Sequence, residues 1–260
     1  MSDNTVYLIT GANRGIGLAV TTLLLTRPHT TVLATSRQPA PSLDPASFPA
    51  TTIHPTSRLI PVLLDDGSPL GLDAPSSSRT LAARLRAEHG VTRLDVVLAN
   101  AGGSTAMGGV LDTDPEEMVR DFGVNAVGAV RLLQAVWPLL KRAEGEGELG
   151  KFVYVSSTLG SIGILERESM PGVAYGMSKA AANWFAKKVS VELRGQVVVG
   201  VLHPGWVQTA LGQSLADAVG FKEPPTTAEQ SAKGVVEQID NWTPEKSGQF
   251  LSYHGNPLPW

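Results

Sequence analysis

Seven short runs of aliphatic and β-branched residues punctuate the chain: VYLIT (6–10), TVLAT (31–35), LIPVLL (59–64), LDVVLA (94–99), KFVYVS (151–156), QVVVGVL (196–202) and GQFLSY (248–253). Most are apolar at consecutive positions instead of alternating, the signature of strands buried on both faces. The stretches between them are long enough for the crossover helices that parallel strands need. The pattern predicts a doubly wound α/β domain: a seven-stranded, mostly parallel sheet with helices on both faces. At 260 residues the chain suits one such domain, 1–260, without a second.

Two connections depart from the rhythm. Between residues 39 and 58 five prolines stand where a crossover helix would be expected. Proline removes an amide donor and disfavours helix at the preceding residue, so a mostly irregular surface excursion with at most a short helical turn is predicted. AEGEGELG (143–150) reads as a solvated loop leading into the fifth strand.

Composition narrows the function classes. Hydrophobic residues at 42% and charged ones at 17% allow a sizeable core, and a net charge of −3 without a basic block argues against nucleic acid as a partner. The absence of cysteine excludes disulfides, thiolate metal sites and cysteine nucleophiles. The five histidines, at 29, 54, 89, 203 and 254, show no ligand-like pairing, so no metal is expected. The first residues lack a basic segment and a long apolar run, and no stretch approaches the roughly 18 apolar residues of a membrane helix. A soluble, cytoplasmic protein without a cleaved signal or a membrane partner is expected.

Between the first strand and a helix beginning near Ile16 stand Gly11, Gly15 and Gly17, spaced G-x-x-x-G-x-G. A helix N-terminus offers unpaired amides and a positive dipole end, and a pyrophosphate can approach it only where side chains do not block the backbone. A tight turn with no ligand would use the same glycines.

Further along follow LDVVLANAGG, VNAVG, VSS, YGMSK and HPGWVQT, in that order. With the glycine loop and its preceding Thr10, this series resembles the short-chain dehydrogenase/reductase family over nearly the whole chain. The resemblance implies a Rossmann fold that binds a dinucleotide and includes its own substrate-binding loops, 160–174 and 206–230. The implied cofactor-binding residues are Gly11, Asn13, Arg14, Gly15, Ile16 and Gly17 in the glycine loop, and Asp65 after the third strand, with Asp66 an alternative. Asn100, Ala101 and Gly102 follow from the N-A-G turn, and Pro204, Gly205, Val207 and Thr209 from the segment after the sixth strand. Tyr175 and Lys179 contact the cofactor as well.

Dinucleotide folds that prefer the unphosphorylated cofactor carry an acid at the end of the second strand. Here that position offers Thr35, Ser36 and Arg37. Arg14 and Arg37 can converge on a 2′-phosphate, which predicts NADPH/NADP+; the alternative is two ordinary surface arginines.

AYGMSKAAANWFAKKVSVEL (174–193) has a helical pattern, and Tyr175 and Lys179, four apart, share one face. A nearby ammonium favours the phenolate and would draw the tyrosine toward working pH, suiting it to proton exchange with a carbonyl oxygen as hydride reaches the carbon. The resemblance adds Ser157, in preference to Ser156, as the residue bonding the substrate oxygen, and Asn125 as the group that positions the lysine through water. The catalytic set is thus Asn125, Ser157, Tyr175 and Lys179. Ser157 and Tyr175 lie 18 positions apart, more than the family's usual spacing. The extra residues in GSIGILERESMPGVA (160–174) are expected to wall the substrate pocket, with ERE (166–168) either at its mouth or simply solvated. In 206–230, Trp206, Leu211, Leu215, Val219 and Phe221 form either an apolar lid or an amphipathic helix packed on the body, with Trp206 the favoured substrate contact.

The opening and closing segments are similar to a branch containing sniffer-type carbonyl reductases and fungal polyketide ketoreductases such as norsolorinic acid ketoreductase. This implies NADPH-dependent reduction of a ketone on a hydrophobic, aromatic or polycyclic biosynthetic intermediate. A non-redox step such as cyclisation, with NADPH as scaffold, and a non-catalytic nucleotide sensor are the alternatives. The family commonly forms homodimers or homotetramers through the helices bearing Asn125 and Tyr175. Their outer residues Val130, Leu133, Trp137, Trp184 and Phe185 would serve either such pairing or packing on the sheet.

Overall fold

The computed structural model describes residues 4–49, 52–64, 75–142 and 147–260, with only the backbone of 75–79. All seven apolar runs become strands: β1 (Thr5–Ile9), β2 (Thr30–Ser36), β3 (Arg58–Leu63), β4 (Val96–Ala99), β5 (Lys151–Val155), β6 (Val198–His203) and β7 (Gln249–Ser252). They form one parallel sheet in the order β3-β2-β1-β4-β5-β6-β7. Pro61 falls in the edge strand β3, where a missing amide donor is tolerated.

Alternate residues of each strand feed two cores, as a pleat of period two requires. Leu8, Leu33 and Val97 face α2 (Pro75–His89), α4 (Gly128–Leu140) and α5 (Val173–Glu192), meeting Leu85, Leu132, Val136 and Val189. Ile9, Val32 and Leu98 face α1 (Gly15–Leu25) and α7 (Ala228–Asn241), meeting Val20, Leu24, Val235 and Trp242. The sheet is covered on both sides, as its apolar strands demand. At the end of the sheet stands α6 (Ala210–Val219).

The proline-rich connection contains two single 3-10 turns, Pro41–Leu43 and Pro45–Ser47, where at most one short turn was expected. It runs over the surface as expected, with one buried side chain among its described residues. Leu43 is 1% exposed, and the Ser42 hydroxyl donates to the Asn13 carbonyl at 2.8 Å, so the segment braces the glycine loop. The connection 143–150 is described only from 147 onward.

α3 (Pro115–Phe122), one π-helical turn (Gly123–Val127) and α4 form a continuous helical run. By length and composition the run Pro115–Leu140 suffices to cross a membrane, which corrects the expectation that no stretch approaches that limit. Half of its most apolar portion is buried in the fold, where Leu132, Val136, Leu139 and Leu140 pack on the sheet. Packing accounts for three of the residues with two expected uses. Leu133 is buried, Trp137 and Phe185 pack against the core, and Trp184 is 68% exposed.

Candidate active site

The strand order reverses between β1 and β4, and their carboxyl ends open a crevice there. A cavity of about 480 Å³ fills it, lined by the glycine loop, Thr35, Ser36, Arg37, Asn100, Ala101 and Gly102. A second cavity of about 350 Å³ surrounds Ser157, Tyr175 and Lys179. Ile16, Asn100, Gly102, Thr209 and Leu211 line both, so the two form one cleft.

The glycine loop is shaped by its own packing. A Cβ on Gly17 would lie 2.3 Å from the Gly11 carbonyl oxygen and 2.6 Å from Asn100 Nδ2, so any side chain there would drive α1 away from the end of β1. Asn100 Nδ2 donates to the Thr10 carbonyl at 2.8 Å, while Thr10 Oγ1 accepts from the amides of Asn100 and Ala101, each at 3.0 Å. These bonds fasten β1 to β4 whatever the cleft holds.

The loop nevertheless fits an anion. Arg14, the N-cap of α1, is extended and supplies no side-chain cap, and no acid occupies the helix's first turn. The terminal amides therefore face the cavity uncapped, the arrangement that suits a pyrophosphate. Among the described residues no acidic side chain lines this cavity, whereas Arg14 and Arg37 do. Ser36 Oγ donates to the Gln38 carbonyl at 2.7 Å and retains acceptor capacity. Asp65, with its alternative Asp66, lies outside the described residues.

On the other side, Pro204, Gly205, Val207 and Thr209 line the second cavity. The Ser231 hydroxyl donates to the Pro204 carbonyl at 2.8 Å, and Val207 bridges to Thr226. Thr209 Oγ1 caps α6 by accepting from the Gly212 amide at 3.1 Å.

The four expected catalytic residues converge from three elements. Asn125 comes from the π-helical turn, Ser157 from just beyond β5, and Tyr175 and Lys179 from α5. Asn125, 1% exposed, donates from Nδ2 to the Gly103 carbonyl and to Ser178 Oγ, both at 2.8 Å, and its Oδ1 accepts from the Gly103 amide at 3.0 Å. A Cβ on Gly102 would stand 2.9 Å from Asn125 Oδ1 and 3.2 Å from Lys179 Nζ, so a bare backbone is required between them. Lys179 Nζ donates to the Val155 carbonyl at 2.9 Å.

The serine pair separates cleanly. Ser156 Oγ donates to Asn183 Oδ1 at 2.5 Å, whereas Ser157 Oγ accepts from the Leu159 amide at 3.2 Å and lines the second cavity with Tyr175.

Burial sets the protonation of this cluster, and one expectation needs correction. The Tyr175 phenol is pushed well above its ordinary value by burial, with the Ser157 hydrogen bond pulling the other way and the Asp121 charge adding to the rise. The expected lowering by an adjacent ammonium is absent because Lys179 is itself desolvated, which lowers it to about 7, and its nitrogen lies 5.6 Å from the Tyr175 ring centre. Burial thus favours the neutral phenol over the phenolate. Burial also lowers His203 to about 4, and its Nδ1 accepts from the Thr158 amide at 3.2 Å, a structural role.

Several supporting residues carry no motif. The Tyr154 hydroxyl donates to the Asn125 carbonyl at 3.1 Å, and its ring lies 4.7 Å beneath Lys179 Nζ. Alternation within KFVYVSS places Tyr154 on the α5 side, but nothing in that spacing names its partners. The Asp121 carboxylate accepts from the Thr105 amide at 2.9 Å and tethers the loop that bears Met107.

Part of the second cavity's wall comes from the two expected loops, and Met107 and Leu159 line it from outside them. Leu159, Glu168 and Met170 line the substrate cavity, placing the last residue of ERE on it. Segment 160–174 is braced by the chain's last residues. Ser161 Oγ donates to the Pro259 carbonyl at 2.6 Å, and the Gly163 amide donates to the Trp260 carbonyl at 2.7 Å. Opposite, Trp206, Leu211 and Leu215 line the cavity while Leu215 and Ala216 bury α6 against the body. Phe221 is exposed beside Trp206, with ring centres 5.5 Å apart. Among the described residues no three metal-binding side chains cluster.

Residues 5–220 match the family model for short chain dehydrogenase. The chain is 35% identical over 261 residues to norsolorinic acid ketoreductase of Aspergillus parasiticus, covering 99% of this chain and 92% of that protein. NADPH-bound carbonyl reductase from chicken fatty liver matches with a TM-score of 0.80 at 28% identity, over 100% of both chains. The carbonyl reductase Sniffer of D. melanogaster matches at 0.79 and 26% identity, over 99% of this chain and 100% of that one.

Proposed function

This chain belongs to the short-chain dehydrogenase family, oxidoreductases acting at C=O and CH–OH groups, and on that basis we propose that it is an NADPH-dependent ketoreductase. The observation that carries the reading is one continuous cleft with two chemical ends. Among the described residues, one end has no acidic side chain, an uncapped helix N-terminus and two arginines in its lining; the other gathers Ser157, Tyr175 and Lys179.

Arg14, Ser36 and Arg37 would hold the 2′-phosphate, and the α1 amides the pyrophosphate. Asn100–Gly102 would flank the adenosine ribose, and Pro204, Gly205, Val207 and Thr209 would hold the nicotinamide end. When bound, the cofactor supplies the hydride that reaches the ketone carbon. Ser157 and Tyr175 hold the carbonyl oxygen, and Tyr175 Oη gives it the proton that completes the alcohol. Burial keeps that proton on the phenol until the oxygen gains charge. Lys179, held by the Val155 carbonyl, would supply positive charge beside the tyrosine as the phenol gives up its proton, and Asn125 fixes Gly103, next to the Gly102 backbone that stands between Asn125 and Lys179.

The substrate walls supplied by Met107, Leu159, Met170, Trp206, Leu211 and Leu215 favour a large hydrophobic ketone. The resemblance to norsolorinic acid ketoreductase supports an aromatic, polyketide-like intermediate. The exposed Trp184 face of α5 is the candidate surface for a homodimer, and the cytoplasm is the setting we assign.

The test is oxidation of NADPH and of NADH against aromatic, polycyclic and small aliphatic ketones, with Tyr175→Phe in parallel. Turnover that requires Tyr175 and the 2′-phosphate, and favours the larger aromatic ketones, is expected. Tight NADPH binding without turnover of any ketone would overturn the reductase reading in favour of a scaffold role.

A further inference from the structure

We propose that Glu168 makes the substrate pocket selective for uncharged ketones bearing a hydrogen-bond donor remote from the reacting carbonyl, and turns away carboxylated ones. This inference rests on the ketoreductase reading above.

Among the described residues, two formally charged side chains line the substrate cavity, Lys179 and Glu168. Lys179 is enclosed at the inner end, donating to the Val155 carbonyl. His203, also on the cavity, uses Nδ1 to accept the Thr158 amide, and burial keeps its ring neutral. Glu168 is exposed, so it stands where the cavity opens to water. The neighbouring walls are the apolar side chains of Met107, Leu159, Met170 and Trp206.

A carboxylated ketone would place an anion among these apolar groups beside a like charge, while Lys179 is enclosed at the inner end, its ammonium donating to the Val155 carbonyl. A ketone carrying a phenolic or alcoholic hydroxyl would instead give Glu168 a charge-assisted hydrogen bond. The geometry holds the glutamate in position for this discrimination. Its amide donates to the Ile164 carbonyl at 3.0 Å, and the turn it closes is pinned through Gly163 to Trp260 and through Ser161 to Pro259. The extra residues between Ser157 and Tyr175 thus bring a charge to the pocket on a braced turn.

The experiment uses three aryl ketones of one skeleton, with a remote hydrogen, hydroxyl or carboxylate, reduced by the wild type, Glu168→Gln and Glu168→Lys at low and high salt. For Glu168→Gln, the kcat/KM ratio of carboxylated to unsubstituted ketone should rise about fivefold, the effect of removing one partly screened charge. Glu168→Lys should raise it further, and both changes should shrink near about 1 M salt, where the Debye length falls to about 3 Å. The hydroxylated ketone should lose its advantage over the unsubstituted one in both variants. Unchanged ratios in variants that still reduce the unsubstituted ketone would overturn this inference and leave the ketoreductase reading intact. A wild type that reduces none of the three would overturn both.

Discussion

Lys179 Nζ donates to the Val155 carbonyl oxygen at 2.9 Å while lying 4.7 Å from the centre of the Tyr154 ring, so the ammonium is enclosed by a strand end and an aromatic face. Lys179 is 3% exposed, and burial lowers it to about 7. The free energy of holding that proton in place is a cost of the folded state.

The cost should be visible in pH-dependent stability. Below pH 7 the folded and unfolded chains both carry the proton, and the penalty is complete. Between about 7 and the ordinary lysine value of about 10.4 the unfolded chain binds more protons, so stability rises with pH. Above that range both forms are neutral and the penalty is gone. Urea unfolding should show Lys179→Met more stable than the wild type at pH 6.5 by about 3 kcal/mol, with the difference fading toward pH 10. A difference that is independent of pH would contradict the enclosure of the charge.

Asn125 is predicted to be as important to the fold as to chemistry. Its side chain satisfies both backbone groups of Gly103 and the Ser178 hydroxyl. Asn125→Ala leaves these groups without it in a closed space, at a cost of about 2–3 kcal/mol. A lowered melting temperature together with reduced kcat is expected. Loss of kcat at unchanged stability would mean that the bonds to Gly103 contribute little.

Much of this arrangement was legible in the sequence for physical reasons. Strands buried on both faces must be apolar at consecutive positions, so β1 to β7 announced themselves, and the proline run ruled out a helix after β2. The four residues proposed as catalytic stood out because each sits in a local motif, and the fold brings them to one end of the cleft. Other features had no local signal. The Ser42 bond to the Asn13 carbonyl, the Tyr154 bond to Asn125 and the grip of Pro259 and Trp260 on 160–164 arise from pairings across 29 to 98 positions. The Tyr175–Lys179 spacing correctly indicated a shared helix face, but it could not reveal that both groups are desolvated, which reverses the expected effect on the phenol.

The proposed cofactor preference makes a prediction about Arg37. With Arg14 it lines the cleft where β2 ends without an acid. A charge-assisted bond to phosphate contributes about 1.5–3 kcal/mol, so Arg37→Ala should weaken NADPH binding roughly ten- to hundredfold while changing NADH binding little. Arg37→Asp should move the preference toward NADH by adding a carboxylate for the ribose hydroxyls. Calorimetric titration with both cofactors measures this. Equal losses for both would assign Arg37 to the shape of the loop instead of the phosphate.

The last residues of the chain should influence substrate binding from outside the cleft. Trp260 packs on Phe250, with ring centres 5.6 Å apart, and lies 5.4 Å from Lys187 Nζ, while its carbonyl accepts the Gly163 amide. A Cβ on Gly163 would stand 2.9 Å from Pro259 Cβ and 3.2 Å from the Trp260 carbonyl oxygen, so Gly163→Ala must push the two segments apart. Trp260→Ala removes the same brace from the other side by deleting the ring contacts. Both variants loosen the wall carrying Leu159, Glu168 and Met170 and leave Tyr175 and Lys179 on an intact α5. A several-fold rise in ketone KM with a smaller change in kcat is expected for each, at a stability cost of about 1–2 kcal/mol. The double variant should add little to either single one, because both release a single contact. Fully additive effects on KM would show that Gly163 and Trp260 act on the pocket separately.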